Sequence, residues 1–158
     1  MRHMVRIAVL VVMAVSLSGC KRNSTLMRDV EEAERLQQAC DERDMEGCNN
    51  LGNKYKIGRG VPQNKTRAAE LYQQACDGRY IEGCNNLGVM FEYGEGVPQN
   101  PTRAAELYQQ ACDGRNMEGC NNLGIMYEHG IGVPQNSTRA AELYQQACGG
   151  GYEEACNR

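Results

Sequence analysis

Eight cysteines stand in four pairs of a single spacing, Cys40/Cys48, Cys76/Cys84, Cys112/Cys120 and Cys148/Cys156, and each pair lies 36 residues beyond the last. A fixed spacing nested in a fixed period points to a tandem array, because a unit of this length is one supersecondary piece that buries its apolar face only against its neighbours. Other residues keep the same period. Glu-Gly-Cys-Asn-Asn-Leu-Gly occupies 46–52, 82–88 and 118–124. Gly-Val-Pro-Gln-Asn occupies 60–64, 96–100 and 132–136, and Thr-Arg-Ala-Ala-Glu-Leu-Tyr-Gln-Gln-Ala-Cys occupies 66–76, 102–112 and 138–148.

Each unit carries two helical patterns. Cys84, Leu87, Gly88 and Phe91 fall at i, i+3, i+4 and i+7, the stripe of a helix with one buried face. This helix A ends at Tyr93-Gly94-Glu95-Gly96, where glycine reaches the left-handed conformation that terminates a helix. Ala104, Leu107, Tyr108, Ala111 and Cys112 mark a helix B. Asn64, Asn100 and Asn136 are its expected N-caps, with Pro101 once at the first helical position. Asp77-Gly78, Asp113-Gly114 and Gly149-Gly150 read as its stop signals. Gly52, Gly88 and Gly124 lie inside helix A at a cost of about 1 kcal/mol each relative to alanine, which implies close approach of neighbouring helix backbones. Tyr55, Phe91 and Tyr127 on helix A and Tyr72, Tyr108 and Tyr144 on helix B read as packing residues. Arg67/Glu70, Arg103/Glu106 and Arg139/Glu142 read as solvated i, i+3 pairs.

The resulting units are 45–80, 81–116 and 117–152. A tether and helix start at 20–32 and a capping helix at 33–44 precede them, this lone helix B centring on about 27–40, and a short tail at 153–158 follows. Repeat symmetry leaves two economical cysteine pairings among the 105 that eight thiols allow. One joins Cys48 to Cys76, Cys84 to Cys112 and Cys120 to Cys148, and strands Cys40 and Cys156. The other, Cys40–Cys48, Cys76–Cys84, Cys112–Cys120 and Cys148–Cys156, uses every thiol and is the expected one. Each such bond closes a nine-residue loop, for which chain entropy gives roughly 2.5 kcal/mol. Zinc sites space their thiols by two to four residues and redox pairs by two, so neither a metal nor another cofactor is expected.

The first residues read differently. Arg2, His3 and Arg6 precede an apolar block at 7–15, too short for the roughly 20 residues of a membrane span and suited to the core of a signal peptide at 1–19. Leu17-Ser18-Gly19-Cys20 resembles the bacterial lipobox, which implies cleavage before Cys20 and its lipidation, and so a chain anchored to a membrane without crossing it. Lys21 in place of an aspartate favours the outer membrane, periplasmic face. Cleavage leaves 139 residues and removes two of the seventeen basic residues and none of the twenty acidic ones, moving the formal charge from −3 to −5. That balance argues against a nucleic-acid partner, which calls for a basic stripe. Export also permits disulfides to persist.

The pattern Asn-Leu-Gly-x-Met-Phe/Tyr-x-x-Gly-x-Gly-Val-Pro-Gln-Asn, followed by Ala-Ala-x-x-Tyr-x-x-Ala, resembles the Sel-one-like repeat, a relative of the tetratricopeptide repeat. The added Cys-x7-Cys resembles the cysteine-rich Hcp subfamily, often called β-lactamase-like. The resemblance spans about 33–156. It implies an all-α fold, a right-handed superhelical solenoid of antiparallel helix pairs with disulfide staples, with helix A lining the concave side.

Two functional classes follow. Helical repeats hold extended peptides against a curved surface, and Asn49, Asn50, Asn85, Asn86, Asn121 and Asn122 repeat along helix A as candidate groove residues, one member of each pair facing the groove. Residues that vary among the repeats, Asn53, Val89 and Ile125, with Lys56, Tyr93 and His129 near the helix end, are where ligand-specific contacts are expected. The expected partner is a peptide or envelope protein. The alternative is an enzyme that binds or weakly hydrolyses a β-lactam, as the subfamily resemblance implies. Its residues are missing: the only Ser-x-x-Lys is Ser18 to Lys21 across the cleavage point, Lys65-Thr66-Arg67 is the nearest approach to Lys-Thr-Gly, and no catalytic residue is assigned.

Overall fold

The computed structural model describes residues 22–158; the expected signal segment and Cys20 lie outside the described residues. Seven helices follow one another, α1 (Arg22–Asp41), α2 (Met45–Ile57), α3 (Lys65–Asp77), α4 (Ile81–Tyr93), α5 (Pro101–Asp113), α6 (Met117–His129) and α7 (Ser137–Gly149), closed by a 3-10 turn at Glu153–Asn157. Helices α2, α4 and α6 are the A helices and α3, α5 and α7 the B helices, each 13 residues long. The chain is an all-α solenoid of antiparallel pairs in which each helix packs chiefly on its neighbours in sequence.

Helix α1 is B-like but 20 residues long, and it starts at Arg22 instead of near residue 27. In the repeats the Pro-Gln-Asn turn stops the backbone before helix B. The corresponding segment Leu26-Met27-Arg28 contains no such breaker, so helix runs back through the expected tether.

The start of each B helix is set as its sequence suggests. Asn64, Asn100 and Asn136 accept the amides of Arg67, Arg103 and Arg139 at 2.9, 3.0 and 2.9 Å, which satisfies one of the free donors of a helix start. The A helices end on Gly58, Gly94 and Gly130 at φ of 75°, 70° and 68°.

The corner from B to A works differently from its sequence reading. Gly78 and Gly114 sit at φ −78°, and the left-handed residues are the next ones, Arg79 and Arg115, with Arg43 in the same place, at φ 67° to 68°. Glycine at 78, 114 and 150 leaves room for the side chain that packs against it. A Cβ there would lie 2.3 Å from Met45 Sδ, 2.6 Å from Ile81 Cδ1 and 2.3 Å from Met117 Sδ respectively, the first residue of the preceding A helix. Among the described residues no A helix precedes the first corner, which carries Glu42.

The four disulfides are the local ones, Cys40–Cys48, Cys76–Cys84, Cys112–Cys120 and Cys148–Cys156, with Cα separations of 4.5, 4.7, 4.5 and 4.8 Å. The core is a row of small clusters. Ala33, Cys40, Cys48, Leu51, Leu71 and Ala75 form the first, and the next two repeat it with residues drawn from successive helices. Each large apolar side chain buried there is worth roughly 1.5–3 kcal/mol, so stability accrues repeat by repeat.

Candidate functional site

The exposed side of the A helices forms a three-by-three grid at i, i+3 and i+7: Asn50, Asn53, Ile57 on α2; Asn86, Val89, Tyr93 on α4; Asn122, Ile125, His129 on α6. Asn50, Asn86, Asn122, Val89 and Ile125 are half-buried, whereas Asn53, Ile57, Tyr93 and His129 are exposed. Ile57 and Tyr93 reach 63% and 67% exposure, high for side chains of this size. Helix ends fix the register: Ile57, Tyr93 and His129 are equivalent, while Lys56 is equivalent to Glu92 and Glu128. The grouping of Lys56 with Tyr93 and His129 is thereby corrected.

The asparagines divide by position. Asn49, Asn85 and Asn121 are buried and lie beneath the face, where an extended ligand does not reach them. Asn86 Nδ2 donates to Asn49 Oδ1 at 2.8 Å and Asn122 Nδ2 to Asn85 Oδ1 at 3.1 Å. The pairs therefore form a ladder that ties each A helix to the one before it. Asn121 Oδ1, the next acceptor in line, is buried and has no partner.

Beneath the grid, Gly52, Gly88 and Gly124 make room for a ring, not for a backbone. A Cβ on them would lie 2.7, 2.7 and 2.6 Å from Cε1 of Tyr72, Tyr108 and Tyr144. Each tyrosine is buried, and its hydroxyl reaches a side chain of the paired helix A. Tyr108 and Tyr144 donate to Glu92 and Glu128 at 2.6 Å. Lys56 holds that place on α2 and accepts nothing, and Tyr72 donates instead to Asn53 at 2.7 Å, one turn earlier. Burial pushes the Tyr72 hydroxyl up to about 12. Burial and then the hydrogen bond to Glu128 do the same for Tyr144, to about 12; Tyr108 is raised further, by burial and Glu92.

Internal comparison separates packing from surface. Of the 36 positions, 25 are identical in all three units, including the whole of 66–76 on helix B. Variation gathers at the second half of helix A. Lys54, Met90 and Met126 vary because their partners do: Lys54 Nζ meets Glu32 at 2.5 Å, where the later repeats place buried Met90 and Met126 with Ala68 and Ala104 in the place of Glu32. Asn53, Glu92 and Glu128 answer the tyrosine hydroxyls. At the exposed place Tyr93 and His129 have polar neighbours in Glu92 and Glu128, but these lie next to them on their own helix, and the contacts tie the row Ile57, Tyr93, His129 to no other unit.

Among the described residues no group of three His, Cys, Asp or Glu side chains could hold a metal ion. A depression of about 310 Å³ beside α1 has a polar lining that includes Arg28, Asp29, Glu32 and Arg59. No helix among the described residues is long and apolar enough to cross a membrane.

Stacked helix pairs, an invariant B helix and a variable A face define a helical-repeat scaffold. The Sel1 repeat matches at 46–80, 81–116 and 118–152, and the chain belongs to that family. Three solved structures are similar. A protective antigen of uropathogenic Escherichia coli displaying an SLR fold superposes with a TM-score of 0.77 at 29% identity over 80% of this chain. A Sel1 repeat protein from Oxalobacter formigenes gives 0.76 at 23% over 80%. The cysteine rich protein B of Helicobacter pylori gives 0.66 at 30% over 82%. The chain spans 27% and 52% of the first two and 93% of the third. No curated protein matches it.

Proposed function

We propose that this chain is a lipid-anchored scaffold of the cell envelope whose A-helix face binds an extended peptide or a segment of a partner protein. The exposed, repeat-specific row Ile57, Tyr93, His129 carries the reading: in a molecule that repeats 25 of 36 positions unchanged, exposed apolar and aromatic side chains that differ from unit to unit are what a directional ligand would read. Half-buried Val89 and Ile125 beside them supply apolar area, and Tyr93 is the anchor, since aromatic side chains dominate binding hot spots. Acylation of Cys20 would hold this face near a membrane, the outer membrane being favoured by Lys21.

Affinity capture of envelope proteins with wild-type chain and with Ile57→Ala, Tyr93→Ala and His129→Ala tests the reading. A partner lost on these substitutions and kept on Arg103→Ala, an exposed change on helix B, is the expected result. Nitrocefin turnover that persists in the triple variant would instead favour the β-lactam reading and leave the face without its role. Mass spectrometry of the membrane fraction checks the anchor through a diacylated N-terminal Cys20.

A further inference from the structure

The four disulfides have the same spacing but not the same surroundings. Cys40 and Cys48, Cys76 and Cys84, and Cys112 and Cys120 are at most 3% exposed, whereas Cys148 is half-buried and Cys156 is exposed. The cause is the next helix B. Leu71 and Ala75 of α3 lie over the first staple, Leu107 and Ala111 of α5 over the second, and Leu143 and Ala147 of α7 over the third. No further helix B covers the fourth among the described residues.

The corner beneath that fourth bond is also built differently. The second and third corners read Asp-Gly-Arg; here the residues are Gly149-Gly150-Gly151. A Cβ on Gly150 would meet the Met117 side chain, but a Cβ on Gly149 or Gly151 would meet nothing within 4 Å. Two of the three glycines are thus not demanded by contact, and Gly151, at φ 97°, leaves the backbone free in a way Arg79 does not. Beyond it the segment forms a 3-10 turn that rests on the core through buried Ala155 and through Arg158, 5.4 Å above the Tyr144 ring and 4.0 Å from Glu128.

We infer that the Cys148–Cys156 bond is a thiol-exchange site, open to a dithiol reductant while the other three staples stay closed. The attacking thiolate bonds to the exposed Sγ of Cys156, the Cys148–Cys156 bond breaks, and Cys148 leaves as a thiolate that takes a proton from water. The reductant's second thiol then displaces Cys156 as a thiol and closes the reductant's own disulfide, so two electrons pass from reductant to protein. Exchange follows access to sulfur. Opening swings residues 153–158 on the glycine hinge and uncovers the corner that follows α7. None of this depends on what the A-helix face binds.

The test is partial reduction of the whole native chain with dithiothreitol, without denaturant, trapped by N-ethylmaleimide and mapped by mass spectrometry. Cys148 and Cys156 are expected to label on the order of tenfold faster than the other six, and a glutathione adduct trapped with the monothiol should sit on Cys156. Equal labelling of all four pairs, earlier labelling of any other pair, or an adduct confined to Cys148 would overturn the assignment. Cys148→Ser with Cys156→Ser should keep the helical signal and the three remaining bonds. Loss of either would show the fourth staple to be essential to the fold and would likewise defeat it.

Discussion

The tyrosine of each B helix and the glycine of each A helix are one device. The Tyr108 ring fills the space a side chain at Gly88 would need, and its hydroxyl is tied to Glu92 at 2.6 Å, so the ring does not yield. Gly88→Ala therefore sets about 1–3 kcal/mol of overpacking against about 1 kcal/mol of helix propensity. A lower thermal midpoint is expected in calorimetry. The same seats govern alkaline stability. An unfolded tyrosine ionises near 10, and Tyr72 and Tyr144 in the fold only near 12. Between those values the folded state holds more protons than the unfolded, so stability is complete below about pH 10 and falls as pH rises toward about 12. Absorbance of tyrosinate should show Tyr72, Tyr108 and Tyr144 remaining protonated until the helical circular dichroism is lost. Local spacing made the caps and the cysteine partners readable in the sequence, because donor and acceptor lie three or eight residues apart. The purpose of Gly88 was not readable, since its neighbour Tyr108 is twenty residues on.

At the scale of helices, each junction carries its own pair of contacts. Asp29 meets Arg59 at 3.0 Å between α1 and the first loop; Lys65 meets Glu95 at 2.7 Å at the next junction, with the signs exchanged. The third places Pro101 and Ile131 at the equivalent positions. The pair of Glu32, half-exposed, with Lys54, nearly buried, changes in step to Ala68 with Met90 and Ala104 with Met126. Lys54 holds the Glu32 carboxyl below its ordinary range through their hydrogen bond. Glu32→Ala alone leaves the nearly buried Lys54 ammonium with only the more distant Asp29, at 3.9 Å, and should lower the thermal midpoint. Adding Lys54→Met, which copies the later repeats, should restore it or exceed the wild type, since it removes a nearly buried ammonium whose desolvation costs stability. A double change less stable than Glu32→Ala would show that the pair stabilises beyond its apolar equivalent. These partners lie 22 and 30 residues apart, and only the repeat register connects them. The candidate face was half legible for a related reason. The Asn-Asn repetition drew attention to helix A, but which asparagine is buried, and that Ile57 belongs with Tyr93 and His129, follows from where the helices end.

Across the whole molecule, the helix pairs and the staples were legible because period and spacing are one-dimensional, as the solenoid is. The unequal exposure of the staples was not, because it depends on which of the described helices pack over each one. Every disulfide here joins residues eight apart, and that has a consequence for the order of events. A bond of this kind can close as soon as its own corner has formed, whatever the state of the chain beyond it. Oxidation can thus keep pace with a chain that emerges end first, each sealed corner offering a finished platform to the next helix pair. A pairing that bridged distant repeats would have had to wait for the last of them.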